Sequence, residues 1–150
     1  MECIRKVAVL GSGIMGIDIA VLCALRGLPV RIWHRASPDI ARARLRDRIT
    51  KYLSRKIISE EEKQRVSLNV EYCSDLRDIN DADLVIESIR EDFDLKVDLL
   101  KRASGFMSEG AILTTNTSSL SIRRLEKSLP DERTFGGLHF FNPALRMELV

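Results

Sequence analysis

The sequence predicts an α/β domain, a doubly wound, mainly parallel sheet with helices on both faces. Three observations carry this. Short β-favouring runs alternate along the chain with stretches of helical periodicity. A glycine-rich turn follows the first run directly. The chemically distinctive segments all fall where a strand run ends, the edge at which such sheets bind ligands. Right-handed crossovers then favour the strand order 3-2-1-4-5-6.

Val7-Ala8-Val9-Leu10 is a short apolar run stopped by glycine, which reads as a buried strand. From Ile14 to Arg26 apolar residues recur at helical spacing (Ile14, Ile17, Val21, Leu22, Leu25), and Gly27 is a C-terminal stop. Val30 to Trp33 is a second strand. Pro38 opens a long helix running to about Lys56, and Glu60 to Arg65 forms another short one. Val70-Glu71-Tyr72 is the third strand and Asp83 to Glu87 the fourth. Phe93 to Phe106 is a helix with Leu95, Leu99 and Leu100 inward. Ala111 to Thr114 is the fifth strand. Ser121 to Leu129 is a helix stopped by Pro130, and Phe135 to Phe140 is the sixth strand.

The 150 residues suffice for one domain with a real core. Apolar residues make up 45% and charged residues 31%, the balance of a soluble globular protein. A net charge of +2 gives no reason to expect a nucleic-acid partner, and 5% aromatic residues offer no base-stacking platform. The apolar runs fall short of the ~20 residues of a membrane span, so no membrane partner is expected. The segment Met1-Glu2-Cys3-Ile4-Arg5-Lys6 lacks a signal-peptide layout. Cys3, Cys23 and Cys73 are odd in number and widely separated, and neither His34 nor His139 stands at a metal-ligand spacing to them. Reduced thiols, no metal and a cytoplasmic location are the expectation.

Gly11-Ser12-Gly13-Ile14-Met15-Gly16 has the context that a dinucleotide-binding turn requires, after a strand and opening a helix. Gly11 allows the tight turn, Gly13 lets the backbone approach a pyrophosphate, and Gly16 brings helix and strand close. The helix start at Ile14 and Met15 offers N–H groups and a positive dipole end to the phosphates. This is the fingerprint of a Rossmann-type fold. The blander alternative is a tight strand-to-helix turn with no ligand.

The end of the second strand departs from the usual pattern. An acid normally stands there and bonds the ribose hydroxyls of NAD. Here the chain reads Trp33-His34-Arg35. An acid would repel the 2′-phosphate of NADP, whereas Arg35 could pair with it. Arg35 could equally be solvated or stack on adenine. NAD and NADP both stay open.

Leu138-His139-Phe140-Phe141-Asn142-Pro143 places at a strand end the one side chain whose ordinary pKa lies near neutrality. Taken alone, such a histidine could be a satisfied core residue. Likewise Asn116-Thr117-Ser118-Ser119 could be only a cap for the helix that follows.

Together these segments resemble the NAD-binding domain of the L-3-hydroxyacyl-CoA dehydrogenases, enzymes of β-oxidation. The resemblance covers essentially the whole chain. Val9 to Gly16, Val85-Ile86-Glu87-Ser88-Ile89-Arg90-Glu91, Asn116-Thr117-Ser118-Ser119-Leu120 and Gly137 to Pro143 carry it. It implies an oxidoreductase of 3-hydroxyacyl thioesters. His139 would be the acid/base, Ser118 would hydrogen-bond the substrate oxygen, and Asn142 would hold the geometry near the nicotinamide. Glu91 and Lys96 would contact the cofactor around its ribose and nicotinamide. The substrate would be an acyl group on CoA or on a carrier protein. The family also has members that act on non-CoA hydroxy acids and members with a purely structural role, so a non-catalytic dinucleotide-binding module is the alternative.

The helix opened by Pro38 carries Arg42, Arg44, Arg46, Arg48, Lys51, Arg55 and Lys56. In the resembling enzymes this region meets CoA, although a charge run is usually a solvated face. The resemblance also implies a glutamate just after Val150 that pairs with the histidine, then an all-helical domain that closes over the substrate and makes a homodimer. The expectation is therefore a nucleotide-binding domain that binds a dinucleotide but turns over acyl-CoA poorly or not at all by itself.

Overall fold

A computed structural model describes residues 3–130 and 134–147. Glu148-Leu149-Val150, the end of the resembling C-terminal segment, lie outside the described residues. Strand β1 (Val7–Leu10) lies between β2 (Val30–Trp33) and β4 (Leu84–Glu87). Strand β3 (Val70–Cys73) flanks β2 on one side, while β5 (Ile112–Thr115) and β6 (Phe135–Gly137) continue the sheet on the other. The order is β3-β2-β1-β4-β5-β6, as the sequence predicts, and all five pairings are parallel.

Successive residues of a strand face opposite sides of the sheet, and both sides are covered. Val7, Val9, Ile32 and Ile86 pack with Ala41, Leu45, Ile49 and Val66, beneath α1 (Ile14–Leu25), α2 (Pro38–Ser54) and α3 (Glu60–Asn69). Ala8, Leu10, Trp33, Val85 and Leu113 pack with Leu76, Leu99, Leu100 and Leu125. These come from a 3-10 turn (Leu76–Ile79), α4 (Phe93–Ser104) and α5 (Ile122–Glu126). Burial on both sides explains why the central strands read as unbroken apolar runs.

Four helices start on a side-chain cap, supplied by Ser37, Ser59, Asp92 and Ser121. Ser59 and Glu62 form a reciprocal capping box. Helix α1 differs, starting at Gly13 with no side-chain cap.

Several boundaries depart from the sequence reading. Helix α2 stops at Ser54, where Lys56 turns to φ 53°, and α3 runs on to Asn69. Helix α4 ends at Ser104. Helix α5 covers only Ile122–Glu126, because the bonds from Ser128 to Leu125 and from Leu129 to Glu126 tighten its end into i→i+3 geometry. Strand β6 ends at Gly137. Leu138 still donates to Thr115, but the Phe140 N–H turns to the side chain of Asn116.

The basic run of α2 does not form one solvated face. Arg48 binds both carboxylate oxygens of Asp18 on α1, at 2.7 and 2.5 Å, and Tyr52 donates to the same carboxylate. Asp18 is fully buried, so this is a brace between α1 and α2. Burial and the nearby carboxylate push the Tyr52 hydroxyl well above its usual pKa. Arg42 pairs with Asp39 at 3.0 Å and lies over the Tyr72 ring. Arg44 reaches the glycine turn.

The three cysteines are free, with Cys73 buried. Desolvation pushes its thiol up to about 12, the state of an inert packing residue.

Candidate functional site

Parallel strands bring their carboxyl ends to one edge. One further backbone bond extends each pairing there. Gly11 donates to Trp33 (3.1 Å), His34 to Cys73 (2.9 Å), Ser88 to Leu10 (2.8 Å), Asn116 to Glu87 (2.8 Å) and Leu138 to Thr115 (2.9 Å). Each of these residues begins a loop that the sequence singles out. The glycine turn, the His34-Arg35 corner, the Ser88–Glu91 segment, the Asn116–Ser119 segment and the His139 loop thus line a single edge.

At the turn, Gly11 has φ 124°, a conformation that side chains rarely adopt. A Cβ there would stand 2.4 Å from the Ser88 carbonyl oxygen. A Cβ on Gly16 would stand 2.1 Å from the Gly11 carbonyl oxygen, so the α1 backbone sits directly on the turn. Gly13 has nothing within 4 Å of such an atom. Gly11 and Gly16 are thus required by the protein's own backbone, while Gly13 faces open space. An exposed glycine before an uncapped helix start fits a phosphate group. Ile14 is exposed beside it, and Met15 packs against the core with Leu138 and Leu145.

At the neighbouring corner, His34 Nδ1 accepts from the backbone N–H of Ala36 and of Ser37, both at 3.1 Å. The proton of the neutral ring therefore sits on Nε2. Burial, then the charges of Arg44 and Arg35, hold the His34 pKa below its usual value. Arg35 is exposed. Arg44 donates through Nη1 to the Ser12 carbonyl at 3.1 Å and to the Ser12 hydroxyl at 3.2 Å. The indole of Trp33 is buried, with its N–H on the Ser74 carbonyl.

On the other side of β1, Glu87 ends β4 fully buried. It accepts from Lys96 Nζ at 2.7 and 2.9 Å, from the Thr115 hydroxyl and from the Ile89 N–H. Lys96 is only 1% exposed and also lies 3.3 Å from Glu91. It therefore reaches the crevice through Glu91 instead of presenting its own ammonium there. Glu91 accepts from the Thr117 hydroxyl, from the N–H groups of Ser118 (3.0 Å) and Ser119 (3.1 Å), and from the Ser119 hydroxyl. Burial opposes its ionisation. The bonds from Thr117 and Ser119 and the Lys96 charge outweigh burial and hold Glu91 down at about 2. One carboxylate thereby shapes the loop that carries Ser118, whose residue is exposed.

The final loop is anchored at both ends of His139. Leu138 and Phe140 join the core cluster, and Asn116 Oδ1 accepts the Phe140 N–H at 2.8 Å. His139 itself is half-buried, its ring 4.7 Å from that of Phe141. Asn142 is exposed and precedes a cis peptide bond to Pro143. The imidazole is thus not enclosed in the core.

Sequence reasoning did not single out Arg44 as a partner of the turn, nor Glu87 and Asn116 as supports. Asn116 and Glu87 each stood inside a quoted motif, and Arg44 stood only in the basic run of the helix opened by Pro38, with no signal that tied it to the turn. A depression of about 640 Å³ lies on the β3 edge, lined by Arg31, Glu71, Asp78 and Asp81 among others. Arg31 is already paired there with Glu71 and Asp81, at 2.6 and 2.9 Å. The convergent groups are at the strand-end crevice instead.

Residues 6–150 match the family described as 3-hydroxyacyl-CoA dehydrogenase, NAD binding domain. Solved structures agree. FadB2 of M. tuberculosis is 30% identical with a TM-score of 0.88, covering 95% of this chain and 51% of its own. The (S)-3-hydroxybutyryl-CoA dehydrogenase PaaH1 from Ralstonia eutropha is 33% identical with a TM-score of 0.86, covering 97% and 52%. The dehydrogenase part of multifunctional enzyme 1 from C. elegans is 28% identical with a TM-score of 0.90, covering 96% and 33%. This chain therefore spans about half the length of the first of these relatives, or less. With fold, motifs and match in agreement, the chain belongs to the 3-hydroxyacyl-CoA dehydrogenase family, of which it is the NAD-binding domain.

Proposed function

We propose that this chain supplies the nicotinamide-dinucleotide site and the acid/base of an oxidoreductase interconverting 3-hydroxyacyl and 3-oxoacyl thioesters. The acyl group would ride on CoA or on a carrier protein. The observation that carries the reading is the shared strand-end edge, with Gly13 open at one place and the His139 loop tied to Asn116 at another.

A nicotinamide dinucleotide held at this edge would supply the hydride acceptor for C3 in oxidation and the hydride donor in reduction. Gly13, Ile14 and Met15 would hold the pyrophosphate on backbone N–H groups. His139 takes the proton of the 3-hydroxyl as the carbonyl forms, and gives it back in the reverse direction. The Ser118 hydroxyl hydrogen-bonds the same oxygen. The Asn142 amide orients without titrating. Glu91 keeps the Ser118 loop in shape and would contact the cofactor around its ribose, with Lys96 positioning Glu91 from behind. By itself the chain binds a dinucleotide and turns over acyl-CoA poorly or not at all. A cytoplasmic location and a homodimer built by further helices belong to the same proposal.

The test has two arms. Dinucleotide titration of this chain should show saturable binding. Acetoacetyl-CoA reduction, measured in the longest reading frame containing the chain, should fall by roughly a hundredfold or more in His139→Gln with dinucleotide binding retained. No binding of either dinucleotide would sink the reading, and an unchanged rate in the variant would remove His139 as the proton carrier.

A further inference from the structure

We propose that the corner formed by His34, Arg35 and Arg44 is a binding site for the 2′-phosphate of NADPH, so that this domain prefers NADPH to NADH. The inference rests on the dinucleotide reading above and goes beyond it to the choice of cofactor.

In this fold the pyrophosphate lies on the first strand-to-helix turn and the adenosine ribose at the end of the second strand. Gly11 and His34 occupy those places, joined through the backbone bond from Gly11 to Trp33. A carboxylate at the second place would bond both ribose hydroxyls and repel a phosphate. His34 stands there instead, neutral, with Nδ1 already committed to Ala36 and Ser37. The charges that bear on it come from Arg44 and Arg35, both positive. The acid in the first turn of α2, Asp39, is paired with Arg42 at 3.0 Å.

Arg44 is not a loose surface cation. Both of its hydrogen bonds run through Nη1 to Ser12, which fixes the guanidinium beside the turn. Helix α2, which carries it, is braced on α1 by the buried pair of Arg48 and Asp18. A guanidinium held in this way loses little further freedom on meeting an anion. Arg35 is exposed on the adjacent loop and can approach the same phosphate from the strand end. A ribose phosphate carries close to two negative charges and accepts charge-assisted bonds from an arginine fork. A bare ribose hydroxyl gains little from either cation.

The experiment compares binding of NADPH and NADH to this chain by calorimetry, with 2′,5′-ADP and ADP as fragments lacking nicotinamide. NADPH should bind at least roughly tenfold more tightly than NADH, and 2′,5′-ADP should exceed ADP by a similar ratio, the weight of one charge-assisted bond. The NADPH advantage should shrink steeply with salt. Arg35→Ala should reduce the NADPH to NADH ratio, and Arg44→Ala should do the same. Equal binding of the two cofactors, or tighter NADH, overturns the proposal while leaving the dinucleotide reading intact. Binding of neither overturns both. Loss of NADH and NADPH affinity in equal measure in Arg44→Ala removes Arg44 from the site. The exposed Arg35→Ala variant still tests the preference if Ser12 is disturbed by the loss of Arg44.

Discussion

The side-chain carbonyl of Asn116 accepts the backbone N–H of Phe140 at 2.8 Å. The same residue donates from its own backbone to Glu87 and lies 3.4 Å from the Ser88 hydroxyl. Asn116 thus replaces the strand ladder where β6 gives out, and it joins the loop of Ser118 to the loop of His139. Asn116→Ala should cost about 1–2 kcal/mol, the effect of leaving a part-buried N–H without its acceptor. Urea unfolding reads the stability, and hydrogen exchange at the Phe140 amide reads the local effect. An unchanged exchange rate at Phe140 would show that this bond does not hold the loop.

The glycines of the turn separate into two kinds. Gly16→Ala places a methyl group against the Gly11 carbonyl, and Gly11→Ala places one against the Ser88 carbonyl. Each should destabilise the fold by about 3 kcal/mol or more, since backbone has to move. Gly13→Ala meets nothing in the protein. It should melt close to the parent while dinucleotide affinity drops at least roughly tenfold, because the added methyl group occupies the phosphate's approach. Thermal melts paired with NADH titration distinguish the two kinds. Parent-like binding by Gly13→Ala would contradict the cradle.

Lys96 and Glu87 form an ion pair that is almost wholly withdrawn from water. Lys96→Met leaves the Glu87 carboxylate buried without its cation, a loss of about 3–5 kcal/mol. Adding Glu87→Gln should recover a large part of it. The amide carbonyl can still accept from the Ile89 N–H, the amide NH2 can donate to the Thr115 hydroxyl, and the uncompensated charge is gone. Urea unfolding of the single and double variants measures the coupling. A single variant as stable as the parent would rule out this description of the pair.

Glu91 predicts a pH dependence. Its carboxyl titrates at about 2 in the folded protein against a usual value of 4.5. Between those limits the unfolded chain binds more protons than the folded one, so stability rises with pH. The contribution is complete above about pH 4.5 and is lost as the pH falls toward about 2. Glu91→Gln should therefore show a flatter stability profile across that window than the parent, with the two profiles parallel above it. Urea midpoints taken across the window supply the comparison, and identical slopes would contradict the assignment.

Much of this was legible in the residues. The apolar run at Val7–Leu10 announces a strand buried on both faces, because alternation disappears when both sides are covered. The helix start at Pro38 is written in local chemistry, since proline fits the first turn of a helix. Element ends were less legible. Whether β6 continues past Gly137 depends on a side chain more than twenty residues earlier in the chain, Asn116, and no local pattern records that competition. The 3-10 turn at Leu76–Ile79 likewise owes its form to packing of Leu76 and Ile79 beneath the sheet.

The order of strands, the turn between β1 and α1 and the identity of the groups at the strand ends follow from sequence alone, since periodicity, glycine geometry and crossover handedness are local or general rules. Which cations are taken up by partners within the protein was decided only by the tertiary structure. Arg42, Arg44, Arg46 and Arg48 read as one basic run, yet folding turns Arg48 onto buried Asp18, sets Arg44 on Ser12 and keeps Arg42 beside Asp39. The reason is that a charge's role depends on its distance to partners and on its burial, and both are set by how α2 lies against α1 and the sheet, contacts made between residues far apart in the chain.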